Sequence, residues 1–431
     1  MTSLDGRATR VGAIRWLMVG LVFTIAAVSY LDRSNIAIAA SYIKRDLSLS
    51  DVQLGMVFSA FVLGYALTQP IAGRIADRYG PYRVICIGVI WWSLFTAFTA
   101  ALPSTFAGAF SALLVVRFLL GVGESVIFPA SNRLVANWIP ARERGLANGL
   151  IFAGVGVGAG VAPMLITSIM LTHDWRTAFF ACAGAGLVVL AVWMLAARGR
   201  PKEHPWIKPA ELVYIEAGRP DPTPAYARRP APWIAIIFNR QIALLTLSYF
   251  CFGYVAYMFF TWFFTYLSTV RGLDLKSSGL YGTLPFAAMA VASPLGGWLS
   301  DRLASRLGDR KGRCLIAALG MALTAVFLTL ATQVADARLA SMVLAAGSGS
   351  LYLSQSAFWT LSANLGRSSA GSVSGVMNMG NQLGGVLVAS LTPVLAHVLG
   401  WSGSFVFAAG VALIGAVAWL FIDPYAPLAE A

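Results

Sequence analysis

The hexapeptide Gly73-Arg74-Ile75-Ala76-Asp77-Arg78 returns 224 residues later as Gly297-Trp298-Leu299-Ser300-Asp301-Arg302. Past that point an offset of 226 aligns Gly145, Gly149, Gly154 and Gly158 with Gly371, Gly375, Gly380 and Gly384. The same offset pairs Trp175 with Trp401, Phe179 with Phe405 and Gly184 with Gly410. Glycine is common in this chain, so a single match means little. A run of them at one offset, with two aromatics, marks an internal duplication.

Around the repeat the sequence is strongly apolar. Apolar residues make up 58% of the 431 and charged residues 11%, against roughly a quarter charged in a soluble domain. Such a chain cannot coat a soluble globule with polar groups, so its surroundings are lipid. A membrane helix needs about 20 apolar residues. Suitable runs lie at 14–40, 52–73, 82–103, 108–131, 146–171 and 177–197, then at 241–268, 278–300, 313–334, 338–364, 371–397 and 402–422. The stretch 198–240 between the two groups is hydrophilic. It carries Arg198, Arg200, Lys202, Glu203, Lys208, Glu211, Glu216, Arg228 and Arg229 with several prolines, and a short helix fits near 209–217. The expectation is an all-α membrane protein of 12 transmembrane helices. Residues 1–197 and 241–431 form two parallel six-helix halves, joined by a linker at 198–240. Halves related by an axis along the membrane normal are a transporter plan, with substrate bound between them near the midplane.

The net charge is +13, which raises the question of nucleic acid. Of the 31 Lys and Arg residues, 23 fall in one alternate set of loops, six in the other and two inside spans. This asymmetry follows the positive-inside rule and places both termini and the linker in the cytoplasm. No basic tract interleaved with aromatics sits on a soluble face, so nucleic-acid binding is not expected. Arg7, Arg10 and Arg15 before an apolar run, with Ala37-Ile38-Ala39 beyond it, imitate an export signal. Asp32 and Arg33 interrupt that run, and the segment reads as an uncleaved first helix.

Nothing points to an enzyme or a cofactor. There is no Walker-type loop, and no nucleophile stands beside a placed histidine. Cys86, Cys182, Cys251 and Cys314 lie far apart in or beside apolar runs, and read as small core residues. His173, His204 and His397 fall in loops or at span ends. The glycines at 154, 156, 158 and 160, and at 380, 384 and 385, are first of all packing positions that let helices approach closely. Energy must then come from an ion gradient or from the substrate's own.

Four charges fall inside spans: Asp32, Arg33, Arg117 and Glu124. Each costs about 2.5–3.5 kcal/mol at the bilayer centre on insertion scales. Two ion pairs that merely brace helices would neutralise them, but such pairs stabilise weakly compared with apolar packing. Arg117 and Glu124 are seven apart, two turns along one helix face. Asp32 and Arg33 are neighbours about 100° apart, so one can face a cavity while the other faces an adjacent helix. Arg33 is the candidate anion ligand, since a guanidinium offers a carboxylate a bidentate fork and keeps its charge. Asp32 and Glu124 are the titratable candidates. An anion that draws arginine away from an acid leaves that acid free to take a proton. In the repeated loop motif, Asp77 can sit at a helix N-terminus, a contact that forms in one conformation and breaks in another. The span at 241–268 is crowded with aromatics, among them Tyr249, Phe252, Tyr254, Tyr257, Phe260 and Tyr266. Most of them serve packing, and one or two are candidates for lining the cavity.

These residues resemble the major facilitator superfamily. The loop at 73–83, with Gly73, Ile75, Asp77, Arg78, Gly80 and Arg83, looks like its loop signature. The run Arg117-Phe118-Leu119-Leu120-Gly121-Val122-Gly123 looks like its fourth-helix signature. Within it, Tyr30-Leu31-Asp32-Arg33-Ser34-Asn35-Ile36, Phe128-Pro129-Ala130, Trp138-Ile139-Pro140 and Glu143-Arg144-Gly145 resemble the anion:cation symporter family over nearly the whole chain. The resemblance implies proton-coupled import of a small organic carboxylate, a sugar acid first, across a bacterial inner membrane by a monomer. It implies Arg33 as the anion-binding arginine with Tyr30 and Tyr65 nearby, Asp32 and Glu124 as the protonatable pair, and Arg117 as the partner of Glu124 and a further substrate-binding residue. Trp359, Asn378 and Asn381 are implied from the second half, and Asp77, Arg78 and Asp301 as gate residues. Sugar-acid members lead one to expect glutamines in the fifth and seventh spans. Here residues 149–166 carry no polar side chain and Tyr249 takes the seventh-span position, which keeps aromatic carboxylates such as phthalate open. A uniporter or exporter of the same fold, and a sensor that has lost transport, are the other readings. The paired acids argue against a uniporter, and no signalling domain is present.

Overall fold

The computed structural model describes residues 12–103, 108–218, 230–426 and 428. Arg7, Arg10, Arg228 and Arg229 lie outside these. The described residues form helices and turns, with no strand among them. In the first half, α1 spans Ile14–Asp46, α2 Asp51–Tyr79, α3 Pro81–Ala101, α4 Ala109–Glu124, α5 Ile127–Trp138, α6 Arg144–Thr172 and α7 Trp175–Ala196. The linker holds α8, Pro209–Ala217, and α9, Trp233–Ile237. The second half holds α10, Arg240–Thr261, the single turn α11, Phe263–Thr265, then α12, Leu275–Leu307, α13, Leu315–Gln333, α14, Ala337–Gly366, and α15, Ala370–Leu420.

Local chemistry sets the helix ends. Ser50 and Gln53 form a reciprocal capping box at the start of α2, with Ser50 Oγ accepting from the Gln53 N–H at 3.1 Å and Gln53 Oε1 from the Ser50 N–H at 2.9 Å. Asp174 caps α7 and Asp336 caps α14 in the usual one-sided way. The helix α2 stops at Gly80, whose φ of 87° suits glycine, and Pro81 opens α3 at once. Its counterpart in the second half is Gly308, with φ 81°, after α12.

Nine helical stretches among the described residues are long and apolar enough to cross a bilayer. One of them, Ala337–Leu420, has 84 residues and would extend about 126 Å if straight. It is instead broken at Arg367, φ 46°, and at Gly400, φ 73°, so the chain reverses twice. The large apolar side chains that stay exposed on the long helices, among them Met164, Val188, Leu195 and Val291, suit a hydrocarbon surround rather than water.

The linker is docked. Glu211 of α8 is buried and accepts from the N–H groups of Ile14 at 3.2 Å and Arg15 at 3.0 Å, closing the start of α1. Arg15 in turn donates to Glu143 at 2.8 Å, and Tyr214 donates to Glu143 at 2.7 Å. The starts of α1 and α6 and the linker therefore share one face of the molecule, here named the linker face.

Three of the repeated glycine pairs, Gly73 and Gly297, Gly145 and Gly371, and Gly149 and Gly375, lie where the halves touch, whereas Gly154, Gly158, Gly380 and Gly384 pack within their own halves. A Cβ on Gly73 would stand 2.0 Å from the Gly371 carbonyl oxygen, and one on Gly297 2.1 Å from that of Gly145. Gly149 lies against the Ser293 carbonyl and Gly375 against that of Gln69. These contacts hold α2 to α15 and α6 to α12, one pair being the other's copy. Overpacking costs about 1–3 kcal/mol. We expect Gly73→Ala to lower thermal stability in detergent by that amount and to lengthen the distance between spin labels on the linker-face ends of α2 and α15. Gly184→Ala, where a Cβ meets nothing within 4 Å, is expected to change neither.

Candidate substrate site and gate

The four charges come together from α1 and α4, three of them buried and Arg33 half-buried. Arg117 lies on α4 and Glu124 at its end, where the chain loosens at Ser125–Val126 before α5. Pro129 lacks the N–H that would bond the Ser125 carbonyl, which accounts for the break. Asp32, Arg117 and Glu124 are 2%, 2% and 1% exposed. The adjacent residues on α1 point different ways, as their angular separation requires. Asp32 turns toward α3, where its Oδ2 accepts from the Thr96 hydroxyl at 2.5 Å. Arg33 turns inward and donates to Glu124 Oε2 at 3.0 Å. Its guanidinium also lies 4.6 Å from the ring centre of Tyr30, 4.4 Å from Tyr65 and 5.0 Å from Phe61, a box of electron-rich faces for a cation.

The partner assignment differs from expectation. Glu124 pairs with Arg33, and among the described residues no ion pair joins it to Arg117. Arg117 rests over Phe61, 4.9 Å from the ring centre. Both arginines line a cavity of about 460 Å³ with Tyr30, Phe61, Tyr257, Phe260 and Gln382. Ile36, Ala37, Phe58 and Pro163 extend its wall toward the face opposite the linker.

The second half closes the site with neutral groups. Tyr249 OH accepts from Gln355 Nε2 at 2.8 Å and from the Trp359 indole N–H at 2.9 Å. Trp359 packs on Phe152 and Phe128, with ring centres 5.2 and 5.9 Å apart, and so joins the two halves. Tyr257 OH donates to Gln382 Oε1 at 2.6 Å. Asn378, Asn381 and Gln355 line the same inner space with Tyr30 and Tyr65. Of the candidate substrate contacts from the second half, Asn378 and Asn381 line this space, and Trp359 stands behind it, bonded to Tyr249.

The loop motif lies at the linker face and makes the same contact twice. Asp77 Oδ1 accepts from the Gly371 N–H at 2.9 Å, and its Oδ2 from the Ser372 N–H and hydroxyl, both at 2.7 Å. Asp301 Oδ1 accepts from the Gly145 N–H at 3.0 Å, and its Oδ2 from the Leu146 N–H at 2.8 Å. Each half thus caps the first turn of a helix in the other half, where the helix dipole favours negative charge. The missing Cβ is part of the device, since one on Gly371 would stand 2.9 Å from Asp77 Oδ1 and one on Gly145 2.7 Å from Asp301 Oδ1. Buried arginines back both carboxylates. Arg133 lies 3.7 Å from Asp77 and donates to the Arg367 carbonyl at 2.9 Å. Arg313 donates to Asp301 at 2.7 Å and to the Ala141 carbonyl at 2.8 Å. Arg78 is exposed and lies over Tyr79, so the supporting cation beside Asp77 is Arg133.

With this geometry in view, the comparisons with known proteins are informative. The profile of the Major Facilitator Superfamily matches residues 22–389, with a second match at 303–431. The chain belongs to the major facilitator superfamily. It is similar to the probable sulfoacetate transporter of Cupriavidus necator, at 32% identity over 95% of this chain and 94% of that protein. It is also similar to the hexuronate transporter of Bacillus subtilis, at 27% identity over 94% of this chain and 93% of that protein. Among solved structures, the proton:xylose symporter XylE shares the fold with a TM-score of 0.76 at 15% identity, covering 97% of each chain. These relatives bear out the resemblance to anion symporters of the superfamily. The chain is a multi-pass membrane transporter, and its relatives are transporters, not enzymes.

Four residues of this architecture were not singled out from the sequence. Arg133 lies just past the span at 108–131 and Arg313 at the edge of another, so both read as loop charges, whereas α5 runs on to Trp138. Gln355 stands four residues before Trp359 on one helix face, and Gln382 four after Asn378; this spacing was the available signal. Neutralising Asp77 with Asn removes the charge that meets the α15 dipole and leaves Arg133 buried without its acid. We expect Asp77→Asn to open the linker face more often, read as increased labelling of a cysteine placed beside Gly371. Turnover is expected to change severalfold, and substrate affinity far less.

Proposed function

We propose that this protein is a proton-coupled symporter that imports a small organic carboxylate by alternating access, with a sugar acid (a hexonate, aldarate or hexuronate) as the first class of substrate. The observation that carries the reading is the Arg33–Glu124 ion pair at 3.0 Å in a cavity between the halves. The names of the relatives, a sulfoacetate and a hexuronate transporter, support an anion as cargo.

The chain crosses the membrane twelve times in this reading. Residues 1–197 and 241–431 form the moving halves, and 198–240 the cytoplasmic linker. The linker face is then cytoplasmic, held closed by the Asp77 and Asp301 contacts, and the cavity faces outward. The basic loops argue for that orientation, and for a bacterial inner membrane. A monomer suffices, since each half supplies the other's gate.

An incoming carboxylate competes with Glu124 for the Arg33 fork. Once Glu124 takes a proton it no longer holds the arginine, and the anion replaces it. Proton and anion thus enter together, because either alone leaves an uncompensated charge in a low-dielectric cavity. Tyr30, Tyr65, Trp359, Asn378 and Asn381 complete the substrate contacts. Asp32, bonded to Thr96 away from the cavity, is a second proton site. A uniporter or exporter is the alternative reading. The aromatic lining also keeps phthalate-like anions in play.

Two variants separate these readings in proteoliposomes. Arg33→Lys retains charge without the bidentate geometry, and we expect it to lose uptake at least tenfold while reaching the membrane normally. Glu124→Gln mimics the protonated acid. We expect it to exchange labelled substrate across the bilayer and to fail at accumulation driven by a pH gradient. If Glu124→Gln and Asp32→Asn both still concentrate substrate, proton symport gives way to the uniporter.

A further inference from the structure

The cavity contains a second guanidinium that the ion pair does not explain. Arg117 is buried, makes no ion pair with a described carboxylate, and its Nε finds no hydrogen-bond partner. It lines the same cavity as Arg33. The two cations lie 5.0 and 4.9 Å from the centre of one ring, Phe61, so they are within about 10 Å of each other by that geometry alone. A buried guanidinium normally has an acceptor for its fork, and leaving a buried charged donor unpaired is costly.

We propose that Arg117 is a second anion contact, and that the transported substrate is a small dianion held between Arg33 and Arg117. The inference rests on the symport reading above and narrows it. Within that class it favours aldarates, dicarboxylates and sulfocarboxylates over hexonates and hexuronates, which carry one charge.

The formal charges of the cluster agree. Arg33 and Arg117 face Asp32 and Glu124, with Tyr30, Tyr65 and Tyr257 around them as neutral phenols. With both acids ionised the four charges cancel. With both protonated the cluster carries two positive charges, equal and opposite to a dianion. In that doubly protonated state a monoanion would leave one of the two guanidinium groups uncompensated in an apolar surround of Phe58, Phe61 and Val62, whereas a monoanion balances the cluster only when one acid stays ionised. Among the described lining residues the second half offers no cation here, its polar groups being phenols and carboxamides such as Tyr249, Tyr257, Gln355, Asn378 and Asn381, so both negative ends fall to the first half.

Matched probes test this directly. Galactarate and galactonate differ at one terminal group, as do phthalate and benzoate, and sulfoacetate is compared with acetate. Affinities are measured by calorimetry on the full-length protein in detergent at pH 7.5. In the wild type we expect the dianion of at least one pair to bind ten times more tightly or better. A charged hydrogen bond is worth enough for that factor. In Arg117→Gln the dianion-to-monoanion preference is expected to fall at least tenfold, whereas Arg33→Gln weakens both members. The preference is a ratio, so a reduced folded fraction does not affect it. Should Arg117→Gln not fold, Arg117→Lys replaces it, with a preference intermediate between wild type and none. Wild-type binding of each monoanion as tightly as its dianion overturns the proposal, as does an unchanged preference in the Arg117 variants. If none of the six anions binds, the anion-transport reading itself falls first.

Discussion

An ion pair away from water, Arg33 with Glu124, sets the terms for the rest of this molecule. Neither partner can stand alone in a low-dielectric surround at a cost of less than several kcal/mol. The pair therefore needs helices α1 and α4 at a fixed distance, a break after Glu124 that frees its carboxylate, and aromatic faces from Tyr30, Phe61 and Tyr65 to hold the guanidinium when its acid is engaged elsewhere. It also means that any new charge entering the cavity must exchange with one already there. In the proposed symport that constraint is what would couple the two ions, and it arises from solvation rather than from a dedicated catalytic group.

The duplicated gate solves a different problem with the same physics. A carboxylate at a helix start gains from the unpaired N–H groups and from the dipole. It reaches them only if both backbones come close, and Gly73 with Gly371, and Gly297 with Gly145, permit this. Capping of this kind is directional and short-ranged, so it is lost once the helices part by a few ångströms. Two such contacts lie on one face, and the cavity extends toward the other.

Much of this was legible in the sequence because the lipid constraint is severe. Hydropathy located the helices, and the offset copies marked glycines as positions of close helix approach; which of them face the other half and which their own was not legible. The seven-residue spacing of Arg117 and Glu124 correctly put both on an inward face. It could not choose their partners, because the approach of α1 to α4 decides that Glu124 meets Arg33. Helix ends were less legible for a related reason. The apolar run stops near residue 131, yet α5 continues to Trp138 because the second half, rather than lipid, covers Arg133. Buried polar residues such as Gln355 leave no mark on hydropathy when they stand alone among small and apolar neighbours.

The distribution of charge between the halves gives the arrangement its direction. The four charges of the cluster belong to the first half, while the second half presents phenols, carboxamides and the Trp359 indole. Under the proposed alternating access, rocking one half against the other would leave the distances within the charge cluster nearly intact and alter the neutral wall that covers it. The strongest electrostatic contacts then need not be broken in each transit, which would raise the barrier, and only weak hydrogen bonds and aromatic packing are remade across the interface. The cargo supplies the remaining link. It bridges a charged wall and a neutral wall, and the closure it favours is the one in which both are satisfied at once.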